Sequence, residues 1–197
     1  MIEISPVLLE GRHVRLEPLV PDHLDALAAI GLDPELWRIA LVEVHDREAM
    51  RRYIDAAFRQ QREGTGIPFV TVERKGDTIV GSTRFLNIDA PHRRAEIGST
   101  WLAAPWRRTA INTEAKYLML CHAFETWGLR RVEFKTDVVN AQSRAAVLRL
   151  GAKEEGIFRK HMITESGRRR DSVFFSIIDD EWPAVKAGLE QRMAVRR

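Results

Sequence analysis

The sequence predicts a mixed α/β (α+β) fold, in which helices flank a central, mostly antiparallel sheet. Short segments that alternate apolar and polar residues predict strands, and longer segments with apolar residues every three to four positions predict helices. The two kinds of segment are interleaved along the whole chain, with three strands in succession near its middle. At 197 residues the chain can bury a sizeable core, and we expect residues 1–197 to form a single domain.

The first half of the chain predicts one strand, two helices and a three-stranded meander. HVRLEPL alternates apolar and polar residues, and Pro21 then begins a helix at a position where its missing N–H costs little. A second helix ends at EGTG, and a turn at Lys75-Gly76-Asp77 separates the first two meander strands. The predicted strands cover 13–19, 69–74, 79–88 and 95–103, and the predicted helices cover 21–30 and 47–62.

The second half predicts three helices and three strands. Apolar residues recur with a helical period after Pro105, and Gly128 and Gly151 end two of the helices. A turn at Glu165-Ser166-Gly167 joins the last two strands into a hairpin. The predicted helices cover 112–127, 140–150 and 180–193, and the predicted strands cover 132–138, 157–164 and 171–178.

Composition excludes several classes of protein. No run approaches the roughly 20 apolar residues that span a bilayer, and the N-terminus lacks a signal-peptide pattern, so we expect a cytoplasmic protein without a membrane partner. The single cysteine, Cys121, lies in an apolar run and favours a buried thiol over a disulfide or a multi-cysteine metal site. His122 and His161 fit no metal-binding spacing, and we expect no metal.

The charge is divided unevenly along the chain. Residues 1–103 carry a net charge of −3 and residues 104–197 a net charge of +6. The basic half suits an anionic ligand. A pI near 9.3 leaves nucleic acid open, but basic residues alternate with acidic ones outside one cluster, Arg168-Arg169-Arg170, beside Gly167. We interpret this cluster as a solvated hairpin turn and do not expect nucleic acid as a partner.

The segment from Glu96 to Gly151 carries the strongest functional signal. An apolar strand, EIGSTWLA, runs to a bend at Pro105, and RRTAINTEA then opens a helix. Consecutive backbone N–H groups at a helix N-terminus form a site for phosphate. The segment therefore predicts a phosphorylated ligand.

The order of the elements and three segments resemble the GNAT superfamily of acetyl-CoA-dependent N-acetyltransferases. The segments are LEGRHVRLEPL, NTEA, and the helix from Asn140 to Gly151 with the hairpin behind it. The likeness runs from about Leu9 to Trp182 and is strongest to the branch of the ribosomal-protein alanine acetyltransferases and their relatives that act on other amines. It implies a sheet splayed at a cofactor notch, and direct transfer of acetyl from acetyl-CoA to a protein N-terminus or a small amino compound.

The resemblance places the coenzyme A pyrophosphate on the loop 107–112, where the family usually has two glycines and this chain has Ala110 and Asn112. Ala110 keeps the backbone close to phosphate if its φ is negative, and Asn112 tolerates left-handed geometry and would cap the helix. The backbone of the preceding strand would pair with the pantetheine arm like an added strand. The implied cofactor-binding residues are Trp101, Leu102, Ala103, Arg107, Arg108, Thr109, Ala110, Ile111, Asn112 and Thr113, together with Asn140 and Ser143.

The same resemblance implies three catalytic residues. Glu96 stands where several family members place a general base, with a surface or salt-bridged carboxylate as the alternative. Asn140 matches an asparagine that meets the pantetheine or an ordered water, with a helix N-cap as the alternative. Val147 replaces the tyrosine that usually protonates the thiolate, and Ser143 is the implied substitute, one helical turn from Asn140.

The acceptor and the partners stay open at this level. Trp37 lies in a segment that walls the acceptor cleft in the family, and hydrophobic packing is the alternative interpretation. A detoxifying acetyltransferase for small amines is one rival function. A coenzyme A-binding sensor without activity is another, because the glycines and the tyrosine are missing. A homodimer is compatible with all of them.

Overall fold

Eight strands form one open sheet with helices on both faces in the computed structural model, which describes residues 3–195. The strands are β1 (Leu9–Glu10), β2 (Val14–Pro18), β3 (Ile67–Glu73), β4 (Thr78–Asp89), β5 (Arg94–Leu102), β6 (Arg131–Asp137), β7 (Lys153–Ile163) and β8 (Arg169–Ile178). The helices are α1 (Leu24–Gly31), α2 (Pro34–Trp37), α3 (Arg47–Arg62), α4 (Ile111–Cys121), α5 (Ala141–Leu150) and α6 (Trp182–Val195). Short 3-10 turns cover Pro21–His23 and Ala104–Trp106, and a π-turn covers His122–Thr126.

The strands lie in the order β1-β2-β3-β4-β5-β6-β8-β7. Neighbouring strands are antiparallel except β5 and β6, which are parallel. A parallel pair needs a crossover connection, and α4 supplies it between β5 and β6. The predicted sheet, mostly antiparallel and flanked by helices, is confirmed.

Two hydrophobic layers cover the two faces of the sheet, because successive side chains of a strand point to opposite faces. The layer on the α4 side includes Phe85, Met119 and Phe175. The layer on the α1 and α3 side includes Leu27 and Met50. The strands around which the site is built are therefore packed on both faces.

The predicted elements are present with small changes at their ends. α3 begins and ends at the predicted residues, and Asp46 caps it by accepting a hydrogen bond from Ala49 N at 2.6 Å. The helix predicted over 112–127 was too long, because α4 ends at Cys121 and a π-turn follows. The two-residue β1 and the four-residue α2 were not predicted, since neither is long enough to show a period.

A single carboxylate joins the start of the sheet to the start of α4. Glu114 is 6% exposed, and its two oxygens accept backbone N–H bonds from Arg12, His13 and Val14 at 2.7–2.8 Å. A Cβ on Gly11 would lie 2.6 Å from Glu114 Cδ, so this approach requires glycine. Hydrogen bonds to an ionised acceptor are about twice as strong as neutral ones, so this contact holds α4 in place against β2.

We expect Glu114→Gln to lower the free energy of unfolding by about 2–4 kcal/mol, because the amide replaces an acceptor with a donor that faces backbone N–H groups. Urea unfolding measures the change. The matched control is Glu48→Gln, which removes an exposed ion pair with Arg51 and should cost under about 0.5 kcal/mol. Equal losses in the two variants would contradict the role given to Glu114.

Candidate active site

A notch opens in the sheet between β5 and β6. The two strands pair only from Arg94 to Glu96 on β5, opposite Arg131 to Glu133 on β6. β5 continues to Leu102 against β4 alone, while β6 continues against β8. The splay implied by the family resemblance is therefore present, and its closed end lies at Glu96.

The strand that borders the notch does not offer all its peptide groups to a ligand. Ala103 N donates to Val80 O at 2.9 Å, so this N–H is taken by the neighbouring chain on the β4 side. Because peptide groups alternate along a strand, those of Leu102 face the open side. Of Trp101, Leu102 and Ala103, Leu102 is therefore the residue placed to pair with an extended ligand.

The turn after β5 presents backbone N–H groups at the start of α4. The first helical hydrogen bond runs from Glu114 N to Ala110 O at 3.0 Å, so the amides of Asn112 and Thr113 precede it and need an outside acceptor. Ile111 N is held by Thr109 Oγ1 at 3.3 Å, and that hydroxyl donates to Trp106 O at 2.7 Å. Ala110 has a φ of −68°, the negative value that lets its backbone approach a phosphate.

The expectation for Asn112 was wrong in two respects. Asn112 is the second residue of α4, and Ala110 occupies the N-cap position without a side-chain hydrogen bond. The left-handed residue of the turn is Arg108, with a φ of 62°. Thr109 makes the local hydrogen bonds that an N-cap side chain would make, so the helix begins one residue earlier than Asn112.

The two arginines of the turn have different surroundings. Arg107 Nε donates to Leu102 O at 3.1 Å, and its guanidinium lies 3.8 Å from Asp33. Arg108 is exposed at the left-handed position. Arg108 is therefore the cation that can turn toward a phosphate without breaking a contact, whereas Arg107 ties the end of β5 to the segment before α2.

Glu96 is buried at the closed end of the notch, on the face toward α3. It is 4% exposed, and its Oε2 accepts from Asn87 Nδ2 at 2.9 Å and lies 3.3 Å from Lys135 Nζ. Glu96 is thus salt-bridged, the alternative interpretation made from the sequence.

β6 borders the notch on the side opposite β5, and the chain runs from the end of β6 into α5. Asn140 caps this helix, with its Oδ1 accepting from Ser143 N at 3.0 Å, so the capping alternative is observed. The Ser143 side chain is half-buried. Val147 is buried in the core and offers no proton at the position where the family usually has tyrosine.

A buried ion pair fixes the turn before α5. Asp137 is 2% exposed, its Oδ2 lies 2.6 Å from Arg168 NH2, and its backbone oxygen accepts from Asn140 N. Arg170 is also buried, and its Nε donates to Ser172 Oγ. The interpretation of Arg168-Arg169-Arg170 as a solvated turn was therefore wrong for Arg170, which the alternation of β8 turns inward, while the partly exposed Arg168 is held by its ion pair with Asp137.

Trp37 is a packing residue on the face toward α1 and α3. It is buried, donates from Nε1 to Gly31 O at 2.7 Å, and contacts Tyr53 and Trp101 with ring centroids 5.3 and 5.8 Å apart. The side chain of Trp101 lies in the same layer, and its buried Nε1 has no partner within residues 3–195.

The hairpin of β7 and β8 reaches across the same face to the segment after α2. Glu165 N donates to Leu41 O at 2.9 Å, and Glu165 Oε2 accepts from Glu43 N at 2.7 Å. The hairpin turn and this segment therefore form a bridge, which we call the loop bridge. It lies on the acceptor side implied by the family resemblance.

His161 and Lys116 are two residues near the notch that the sequence did not mark for function. His161 packs against Phe158 and Phe174, and burial, with Lys135 and Arg170 nearby, lowers its pKa although Glu96 opposes this shift. The Lys116 side chain points from α4 toward the sheet, in the layer on the α4 side, and is 5% exposed. Its Nζ donates to Thr83 Oγ1 at 2.8 Å and to Thr100 Oγ1 at 2.5 Å, and burial lowers its pKa to about 7.

Within residues 3–195 no group of three or more His, Cys, Asp or Glu side chains is arranged to hold a metal ion. The same part of the chain contains no helix that is both long and apolar enough to cross a membrane.

The strands β5 and β6 part beside the N-terminus of α4, the helix that connects them. The family resemblance implies this arrangement for acetyl-CoA-dependent N-acetyltransferases. Residues 13–153 match the family model described as "Acetyltransferase (GNAT) domain", and the chain belongs to this family.

Individual relatives agree with this membership. The chain is 34% identical over 109 residues to "Putative ribosomal N-acetyltransferase YdaF" of Bacillus subtilis, an alignment that spans 55% of this chain and 58% of that protein. A GCN5-related N-acetyltransferase from Brucella melitensis superimposes with a TM-score of 0.87 at 31% identity, covering 96% of this chain and 86% of that one. Mycobacterium smegmatis RimJ, solved in complex with CoA-disulfide, shares the fold with a TM-score of 0.83 at 24% identity, covering 100% and 98%.

The burial of Lys116 predicts a specific pH dependence of stability. The folded state lowers the pKa of Lys116 from 10.5 to about 7, so the unfolded chain binds more protons between these pH values. The contribution of Lys116 to the free energy of unfolding should rise with pH across this window, by up to about 1.4 kcal/mol per pH unit, and be constant below it. We therefore expect Lys116→Met to be more stable than wild type at pH 7, with the difference narrowing toward pH 10.5.

Urea unfolding of both proteins at several pH values measures this difference. Lys153→Met is the control, because Lys153 is exposed and paired with Glu181 on the surface. A difference for Lys116→Met that stays constant with pH would contradict the assignment of a buried, uncompensated amine.

Proposed function

We propose that this chain transfers the acetyl group of acetyl-CoA to a primary amine, either a protein N-terminus or a small amino compound. The observation that carries the proposal is the notch between β5 and β6. Its closed end lies at Glu96, and its open end lies beside the first-turn amides of α4. An open strand edge and a helix N-terminus are complementary to the two parts of coenzyme A, its extended pantetheine arm and its pyrophosphate. The family membership supports the same reaction.

The residues of the turn would hold the coenzyme. The amides of Asn112 and Thr113 and the side chain of Arg108 supply donors and positive charge for the pyrophosphate. The peptide groups of Leu102 would pair with the pantetheine arm. Leu102 O already accepts from Arg107 Nε, and its second lone pair remains for a ligand N–H.

Bound acetyl-CoA would supply an acetyl group already activated as a thioester. The chain's own task is then to orient the amine and to move protons. Glu96 is placed at the closed end of the notch to take the proton from the amine, directly or through water. Ser143 and Asn140 lie on the opposite wall, where the Ser143 hydroxyl would hydrogen-bond the sulfur.

The acceptor would approach on the face of Glu96, beneath the loop bridge. Glu96 and Lys135 contribute both signs of charge to this face. A protein acceptor is favoured by the name of the B. subtilis relative, a putative ribosomal N-acetyltransferase. A cytoplasmic location would fit such an acceptor.

A panel of acceptors tests the substrate class. Peptides with a free N-terminus, the same peptides with a blocked N-terminus and one lysine, and small amines are each mixed with acetyl-CoA, and thiol release is followed. Transfer to free N-termini alone supports the protein acceptor, and transfer to small amines alone supports the detoxifying enzyme. Coenzyme A binding without transfer to any of them would favour the sensor.

We expect Ala110→Val to weaken coenzyme A binding about tenfold, or about 1.4 kcal/mol, because a β-branched side chain pushes the backbone away from the pyrophosphate. Calorimetric titration measures the affinity, which should also fall with added salt. Ala184→Val, the same change at an exposed position of α6, is the control. Normal binding by Ala110→Val would place the pyrophosphate elsewhere.

We expect Glu96→Gln to lower kcat/KM by about 10²-fold while leaving coenzyme A affinity nearly unchanged, because the amide cannot accept the amine proton. The loss should be largest at low pH, where most of the amine is protonated. Glu133→Gln is the control, since Glu133 lies opposite Glu96 in the sheet but pairs with Arg131. An unchanged pH–rate profile in Glu96→Gln would assign the proton to water or to another group.

A further inference from the structure

Lys116 is a buried lysine that pairs with no carboxylate within residues 3–195. Lysines are almost never fully buried unless they are paired, because taking an ammonium out of water is costly. The Nζ of Lys116 has three donors, and the hydroxyls of Thr83 and Thr100 accept two of them. No acceptor for the third is found within residues 3–195, and neither hydroxyl compensates a positive charge.

The charged and titratable groups on the surrounding elements face elsewhere. On α4, Glu114 is bound to backbone N–H groups, and the Tyr117 hydroxyl donates to Glu190 on α6. On β4, Arg84 alternates with Thr83 and lies over the Tyr53 ring on the other face. On β5, Glu96 pairs with Lys135. Burial is accordingly the cause of the lowered pKa of Lys116, and both its forms are populated near neutral pH.

Thr100 connects this amine to the notch. The register of β4 and β5 shifts so that Ser99 and Thr100 together lie opposite Thr83, and Ser99 takes a φ of 47°. The bulge brings the two threonine hydroxyls within 2.8 Å of each other. Thr100 is nonetheless exposed, because β5 has no β6 neighbour beyond Glu96.

The position of the bulge along β5 determines which part of a bound acetyl-CoA would lie next to Thr100. If the pantetheine arm pairs at Leu102 and the notch closes at Glu96, the stretch between them is the part of β5 left for the thioester. Thr100 and Ser99 are the hydroxyl-bearing residues of that stretch. The usual tyrosine of the α5 wall is replaced by Val147, so a proton source on the β5 wall would fill its role.

We propose that Lys116 is the proton source for the departing thiolate, acting through the hydroxyl of Thr100. This inference rests on the proposed function. As the amine nitrogen bonds to the acetyl carbon and the C–S bond breaks, Thr100 Oγ1 gives its proton to the sulfur and takes one from Lys116 Nζ. Lys116 passes from ammonium to neutral amine and regains a proton from water after the products leave. A group that titrates near the working pH can both give up its proton during transfer and regain one afterwards.

The activity test compares Lys116→Met and Thr100→Val with Lys153→Met, which removes an exposed lysine paired with Glu181. With a weakly basic acceptor that stays neutral, the wild-type kcat should fall as the pH rises above about 7, as Lys116 loses its proton. Lys116→Met and Thr100→Val should lower kcat about tenfold and remove this fall, with little change in KM for acetyl-CoA. Lys153→Met should keep the wild-type profile.

A second measurement does not depend on turnover. Calorimetric titration with coenzyme A in buffers of different ionisation heat reports the protons taken up or released on binding. We expect wild type and Lys153→Met to exchange a fraction of a proton that changes with pH around 7, because bound sulfur and Lys116 share one proton through Thr100. Lys116→Met should lack this component.

The outcomes separate this inference from the proposed function. A wild type that binds no coenzyme A overturns both. A wild type that turns over while Lys116→Met and Thr100→Val keep its pH profile and its proton exchange overturns the proton path alone. Mass spectrometry that finds Lys116 acetylated during turnover also overturns it, because an amide nitrogen carries no proton to give.

Discussion

The carboxylate of Glu114 is the contact on which the geometry of the site depends. It binds three consecutive backbone N–H groups about a hundred residues away in sequence, at the start of β2. These bonds fix the first turn of α4 relative to the sheet, and the free amides of that turn are fixed with it. Two of the segments that carry the family resemblance, LEGRHVRLEPL and NTEA, meet at this carboxylate, so their joint presence in the sequence has a physical cause.

The notch depends on how β5 ends its pairing with β6. β5 keeps β4 as a neighbour to its end, so its backbone stays ordered where it leaves β6. Glu96 is the last residue of β5 that pairs with β6. It forms an ion pair with Lys135, which lies further along β6. The sheet thus contributes a rigid strand edge and a pair of charged side chains at the closed end of the notch. Rigid elements hold a reacting group more accurately than loops do.

The sequence predicted the fold well, because most of its signals are local. The ends of α3 follow from a cap and a period, and the parted sheet follows from the family resemblance. The site was predicted less completely, because its contacts join distant elements. Asn87 and Lys135 reach Glu96 from other strands, and no local pattern marks them.

Two residues show where local patterns mislead. A polar residue at the start of a helix is usually its cap, but Thr109 makes the local bonds instead, and Asn112 lies inside α4. A lysine on an amphipathic helix is usually exposed, but Lys116 meets two threonines that a β-bulge brings together. The bulge is a property of paired strands and cannot be found from either strand alone.

The loop bridge limits how the two loops that form it can change independently of each other. Glu165 in the hairpin bonds to Leu41 and Glu43 through its own backbone and side chain, so the two loops share one geometry. An insertion or deletion in either loop would break both bonds unless the other loop changed with it. If the acceptor binds beneath the loop bridge as proposed, a new acceptor preference would have to be grafted onto this chain by exchanging both loops together.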